Sequence, residues 1–205
     1  MVTRPAAGGG RWVELAPERL EGWLDRFAAR HGPTTVTGTT WTAADGATAE
    51  VEVPFPPLQG DLLAHVLRAR TVGVLLVRRG GHAAGVFAGD RLVASKVGSR
   101  HVQGRTAAGG WSQQRFARRR EGQAAVAVGA AADHAAGVLL GARLDALRTG
   151  GDRAQVEAVL DDPRLRPLQP LVTGPLLDVP DPRLKVLQAV RVRDVRLRLR
   201  EPGDA

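Results

Sequence analysis

Residues 72–97 read VGVLLVRRGGHAAGVFAGDRLVASKV, and how this stretch divides decides the fold. Val72–Arg78 is an unbroken apolar run closed by a cation, the pattern of a strand buried on both faces. Gly80-Gly81 turn it back into His82–Ala88, and Gly89-Asp90 turn that into Arg91–Val97. Two tight turns joining three strands make an antiparallel meander.

Downstream, the meander feeds a loop over 98–111, and Ser112 is placed to cap a long helix over 113–138. That helix is rich in Ala and Gly (Gly122, Gly129, Gly137), which suits close packing on a sheet. Leu144–Arg148 reads as a fourth strand ended by Thr149-Gly150-Gly151, and Asp152 caps a helix to Leu160. Residues 161–182 form a Pro-rich connection to a last helix, Pro182–Val190, and a last strand, Val192–Leu199. In that strand Val195, Leu197 and Leu199 alternate with Arg196, Arg198 and Arg200, which read as a solvent face.

Upstream, Pro5 and Gly8-Gly9-Gly10 mark residues 1–10 as a disordered lead-in. Trp12–Leu15 is a short strand. Leu20, Trp23, Leu24 and Phe27 fall at helical spacing in a helix over 17–31. Thr34–Thr42 and Ala47–Val53 are β-prone runs around Asp45-Gly46, and Asp61–Arg70 is a short helix. The fold class is therefore α/β: an RNase-H-like mixed sheet, a three-strand meander followed by alternating helices and strands, with an N-terminal α/β addition. The expected division is a lead-in over 1–10, an addition over 11–70, and a catalytic domain over 71–200 with its loop at 98–114.

At 205 residues and 43% hydrophobic content the chain can bury a real core. It has no Cys, so neither disulfides nor thiolate metal sites arise. The N-terminus lacks a signal-peptide pattern, and the longest apolar stretch, Ala124–Leu140, is broken by Asp133 and His134. The expectation is a soluble, cytoplasmic protein that does not engage a membrane. Charge is unevenly placed. Arg91–Arg120 holds eight Lys/Arg and no Asp or Glu, so the remainder balances at 21 of each sign and the whole +8 sits in this window. The sequence pI of 11.4 points to a polyanionic partner.

Inside that window lies a small uncharged tip, Ala107–Gln114, flanked by arginines. It offers no carboxylate pair for acid–base chemistry, no ligand set for a metal and no reason to invoke a cofactor. What it offers is carboxamide, hydroxyl, indole and backbone amides freed by Gly109-Gly110. A carboxamide can orient a water while backbone N–H groups and a helix N-terminus meet a developing oxyanion. Such a site suits a substrate that is already labile, an activated ester above all. His101, at the base of the loop, reads as structural, as do the scattered His65, His82 and His134.

Gly109-Gly110-Trp111-Ser112-Gln113, set between a meander and an Arg-rich helix, resembles the GGQ loop of class I eukaryotic and archaeal peptide release factors. It is closer to the Vms-like release factors, and especially to their actinobacterial branch with its GGWSQQRFARRR signature, present here as Gly109–Arg120. Lys96–Thr106, Gly150-Gly151-Asp152 and Leu177–Arg183 share that likeness. The resemblance implies a peptidyl-tRNA hydrolase that frees nascent chains from stalled large ribosomal subunits, with the large subunit and peptidyl-tRNA as partners. Its oligomeric state is not read from the sequence; a monomer is the expectation. By that resemblance Gln113 orients the water, Gly109 and Gly110 shape the turn, and Ser112 and Gln114 complete the catalytic loop. Two residues separate the glycines from Gln113, and Gln114 follows at once, so Gln114 stays the alternative. Lys96, Arg100, Arg105, Arg115, Arg118, Arg119 and Arg120 would contact RNA phosphates, and Trp111 would stack on a base or wedge into rRNA. The competing reading is a non-catalytic RNA-binding protein of the ribosome. A metal-dependent nuclease ranks last, because the meander strands carry no carboxylates.

Overall fold

The computed structural model describes the backbone of residues 1–99 and 112–204, and the side chains of 1–99 and 122–204. The chain folds as two compact units: Met1–Ala69 with Arg193–Ala205, and Arg70–Val192.

The first unit is a six-stranded antiparallel sheet with helices on one face. In chain order its elements are β1 (Val2–Pro5), β2 (Arg11–Leu15), α1 (Leu20–His31), β3 (Thr34–Thr37), β4 (Thr40–Ala43), β5 (Thr48–Glu52), α2 (Leu62–Leu67) and a C-terminal strand, Val195–Arg200. The strand order is β1-β2, then the C-terminal strand, then β5-β4-β3. Leu20, Leu24 and Phe27 of α1 and Leu62 and Val66 of α2 pack on Val13, Leu15, Val51, Leu197 and Leu199 of the sheet. Asp61 caps α2 by accepting from the Ala64 N–H at 3.0 Å. Fully buried His65 is satisfied at both ring nitrogens: Nδ1 accepts from the Gln59 N–H at 3.1 Å, so Nε2 donates to the Pro54 carbonyl at 2.8 Å.

Three sequence expectations change here. The last strand, grouped above with 71–200, lies between β2 and β5 in the first unit. Its alternation fits a sheet with one open face, and its arginines meet acids there. Arg196 is opposite both Glu14 and Glu52, and Arg198 is opposite Glu50. Residues 2–5 of the lead-in are a strand paired to β2 rather than disordered chain. The run Thr34–Thr42 is itself a hairpin, because Gly38 takes φ 62° and folds β3 onto β4.

The second unit holds β6 (Thr71–Arg78), β7 (Gly81–Ala88), β8 (Arg91–Ser99), α3 (Ser112–Leu139), β9 (Ala146–Gly151), α4 (Arg153–Leu160), a 3-10 segment (Pro163–Leu171) and α5 (Leu184–Gln188). With the C-terminal strand as β10, the sheet of this unit runs β8-β7-β6-β9. The meander is antiparallel, and β9 lies parallel to β6. β6 is covered on both faces, as its continuous apolar run requires. On one face, Leu75, Val77, Ala84 and Val86 meet α3, α4 and the 3-10 segment. On the other, Leu187 of α5 fills the space over Gly85.

An RNase-H-like layout needs a fifth strand beside β9. Here that edge is met instead by the Pro-rich connection, through isolated parallel bridges Leu147↔Val172 and Gly150↔Leu177. Gly150 and Gly151 do not end β9 but belong to it. The Asp152 carboxylate caps α4 as expected, accepting from the Gln155 N–H at 3.3 Å. Close packing of α3 comes from Ala131, Ala132 and Ala135, not from its glycines: a Cβ at Gly129 or Gly137 would meet no described atom within 4 Å.

Candidate active site

The site read from the sequence straddles β8 and the start of α3. Lys96 is exposed on β8, opposite Ala84. Arg100, Arg105, Gly109, Gly110 and Trp111 lie outside the described residues. Ser112 is the first residue of α3, one earlier than expected. Gln113, Gln114 and Arg115 follow in the first turn, and Arg118, Arg119 and Arg120 in the second and third. The free N–H groups and the positive dipole end of a 28-residue helix therefore coincide with the two glutamines.

The two ends of α3 have different surroundings. Ala131, Ala132, Ala135 and Leu139 are fully buried in the core, and Arg164 of the 3-10 segment grips Asp133 at 2.8 Å. Gly122–Val126 are all exposed, and five successive residues cover more than a full turn. That part of the helix has left the sheet. At 1.5 Å per residue, Gln113 is about 32 Å along the axis from His134. The helix is thus an arm with an anchored root and a remote tip.

The root is built from segments distant in sequence. At this end of the sheet, β8 finishes with Gly98 opposite His82 and Ser99 opposite Gly81. The strand β9 finishes at the same end on the opposite edge, beside β6, where the Asp152 N–H donates to the Val77 carbonyl at 2.8 Å and the Gly151 N–H to the Leu177 carbonyl at 2.9 Å. Residues 177–183 close over the β6–β7 turn: Arg78 donates to the Val179 carbonyl at 2.6 Å, and Asp181 lies against Gly80. The end of the Lys96–Ser99 run, Gly150-Gly151-Asp152 and Leu177–Arg183 therefore converge on one end of one sheet.

Sequence reading missed a contact at this root. His82 and His134, taken as isolated structural residues, are partners: Nε2 of one lies 2.9 Å from Nδ1 of the other. Their ring centroids are 4.9 Å apart with the planes tilted by 59°. Burial, and then the charge of His134, hold His82 below its ordinary value. Gly98 makes the arrangement possible, since a Cβ there would lie 2.4 Å from the His82 ring and 3.3 Å from that of His134. No local pattern joins residues 52 apart, so nothing in the sequence flagged the pair.

Among the described residues no group of three or more His, Asp or Glu is placed to hold a metal. No helix among them is long and apolar enough to cross a membrane.

Residues 70–200 match the family model of the Actinobacteria/chloroflexi VLRF1 release factor. The match runs through the second unit and on into β10 of the first. No curated protein matches the chain. Among solved structures, one described as an archaeal protein aligns over 82% of this chain and 51% of its own, at 19% identity and a TM-score of 0.32. The chain thus spans about half the length of that protein.

Proposed function

We propose that this chain, which belongs to the Actinobacteria/chloroflexi VLRF1 release factor family, is a ribosome-associated hydrolase that frees nascent peptides by cleaving the peptidyl-tRNA ester on the large subunit. The family match carries the reading, because it spans the whole Gly109–Arg120 string. Two observations support it: α3 begins at Ser112, and the part of the helix behind the tip stands clear of the sheet. An arm of this kind suits a reactive bond held deep within RNA.

In this mechanism the arginines of the arm offset phosphate charge as it enters. The Gln113 carboxamide holds a water against the ester carbonyl. Water adds to the carbonyl carbon, N–H groups at the start of α3 meet the charge on the oxygen, and the terminal ribose oxygen leaves with a proton. The products are a free peptide carboxylate and tRNA with its hydroxyl restored. The chain supplies position and electrostatics rather than a nucleophile.

Successive helical residues lie about 100° apart around the axis, so Gln113 and Gln114 cannot both address one point. A release assay on stalled ribosome–nascent-chain complexes tests the assignment. Gln113→Ala should lower the release rate by roughly 100-fold or more while leaving ribosome binding intact. The same loss in Gln114→Ala alone would move the role by one residue. Binding without release by the unmodified protein would establish the non-catalytic reading instead.

A further inference from the structure

The His82–His134 pair lies where both legs of the arm leave the sheet. β8 enters the catalytic segment and α3 returns from it, and the two rings meet over Gly98, the penultimate residue of β8. The contact joins three elements: His82 from β7, the Gly98 backbone from β8 and His134 from α3.

A hydrogen bond between two imidazoles needs one nitrogen with its proton and one with a bare lone pair. The pair can take up a first extra proton on an outward nitrogen and keep the bridge. A second proton puts hydrogens on both facing nitrogens, 2.9 Å apart, between two like charges. The contact then becomes repulsive.

We propose that His82 and His134 form a proton-sensitive latch that clamps α3 to β7 across Gly98 of β8 while the facing nitrogens share one proton, and releases them when both rings are cationic. His82 and His134 are thereby positioning residues for the hydrolase, and the inference rests on that reading.

Among the described residues the pair is its own main electrostatic influence. One turn to either side of His134 stand Ala130, Ala131, Gly137 and Val138. The neighbouring carboxylate, Asp133, is held by Arg164. On β8 the nearest charge on the same face is Lys96, two residues before Gly98. Val77 of β6 is opposite His82, Ala84 continues its face on β7, and Asp181 lies against Gly80 in the preceding turn. Among the described residues, burial first and then the charge of His134 act on His82. A histidine held below its unfolded value of 6.5 favours the folded arrangement above that pH and loses the contribution as pH falls. The latch is therefore closed at neutral pH and opens on acidification.

Two measurements on the full chain decide this. In the first, single-turnover release at saturating protein is followed from pH 7.5 to 5.5 for the wild type and for His134→Gln, whose amide cannot titrate. The ratio of the two rates cancels the pH dependence of the ester chemistry. It should fall severalfold across the lowest pH unit, short of the roughly tenfold limit for one fully linked proton, because His82 is held below 6.5. A flat ratio overturns the latch. In the second, the imidazole and Gly98 amide resonances of the wild type are titrated by NMR without ribosomes. They should move together, through shared midpoints. Separate, independent midpoints overturn the latch, and this result stands even if no release is seen at any pH, which would refute the hydrolase reading alone.

Discussion

The guanidinium of Arg196 lies 3.6 Å from the centroid of the Trp12 ring, on the open face of the first sheet. The same side chain reaches Glu52 at 3.6 Å. Next along the strand, Arg198 donates to the carbonyls of Ala7, Gly8 and Gly9 at 2.7–2.9 Å. These cations serve the first unit's own cohesion. Arg196→Ala should lower stability by about 1 kcal/mol, the worth of a partly shielded cation–π contact and its packed stem. Denaturant titration reads that loss. RNA affinity and its salt dependence should not change; a shallower salt slope would assign this face to RNA.

The arginines of α3 should behave in the opposite way. Replacing Arg115, Arg118, Arg119 and Arg120 by Gln should reduce the slope of log affinity against log salt by roughly 3, from four phosphate contacts. Ribosome co-sedimentation at several salt concentrations measures it. An unchanged slope would remove these residues from the RNA interface.

Two glycine substitutions should differ in sign. Gly151 takes φ 100°, and a Cβ there would stand 2.2 Å from the Val77 carbonyl oxygen. Gly151→Ala should cost about 2–3 kcal/mol in thermal unfolding, through strain and the loss of the β6–β9 fit. Gly129 lies within α3 with open space beside it among the described residues. Gly129→Ala should stabilise by roughly 0.5–1 kcal/mol, because alanine loses less freedom on entering a helix.

Arg164 grips two carboxylates, Asp133 and Asp162, each at 2.8 Å. Its hydrogen bonds draw Asp162 from the ordinary 3.8 to about 2. A carboxylate held below its unfolded value stabilises the fold above pH 3.8 and loses that contribution as pH falls towards 2. Arg164 is exposed and Asp162 only partly covered, so solvent screening keeps the effect small. Arg164→Ala should flatten the fall in melting temperature between pH 4 and pH 2; an unaltered slope would show the pair to be inert.

Much of this architecture is written locally. Val72–Val77 announces a central strand because burial on both faces leaves no place for polar residues. Gly80-Gly81, Gly89-Asp90 and Asp45-Gly46 announce turns, and Asp152 announces a helix start. The start of α3, to within one residue, and the clustering of charge on its first turns were equally legible. What stayed hidden is set by tertiary pairing. The alternation of Val195–Arg200 declares a strand with one open face, yet many partners would satisfy it. The informative signal was complementary charge, with Glu14, Glu50 and Glu52 at alternating positions on β2 and β5. The histidine pair lacks even that, being created by the meeting of a strand start with a helix about six turns from its tip.

The placement of β10 has a consequence for biogenesis. The strand β10, made after every other element of both units described above, sits in the interior of the first sheet, between β2 and β5. Until it emerges, β1-β2 and β5-β4-β3 are two separate ribbons, each with a bare edge. During translation the second unit is complete before the first can close, so its folding must not wait for the older part of the chain. Loss of residues 195–205 would cut the opening sheet in two while sparing every residue of the arm.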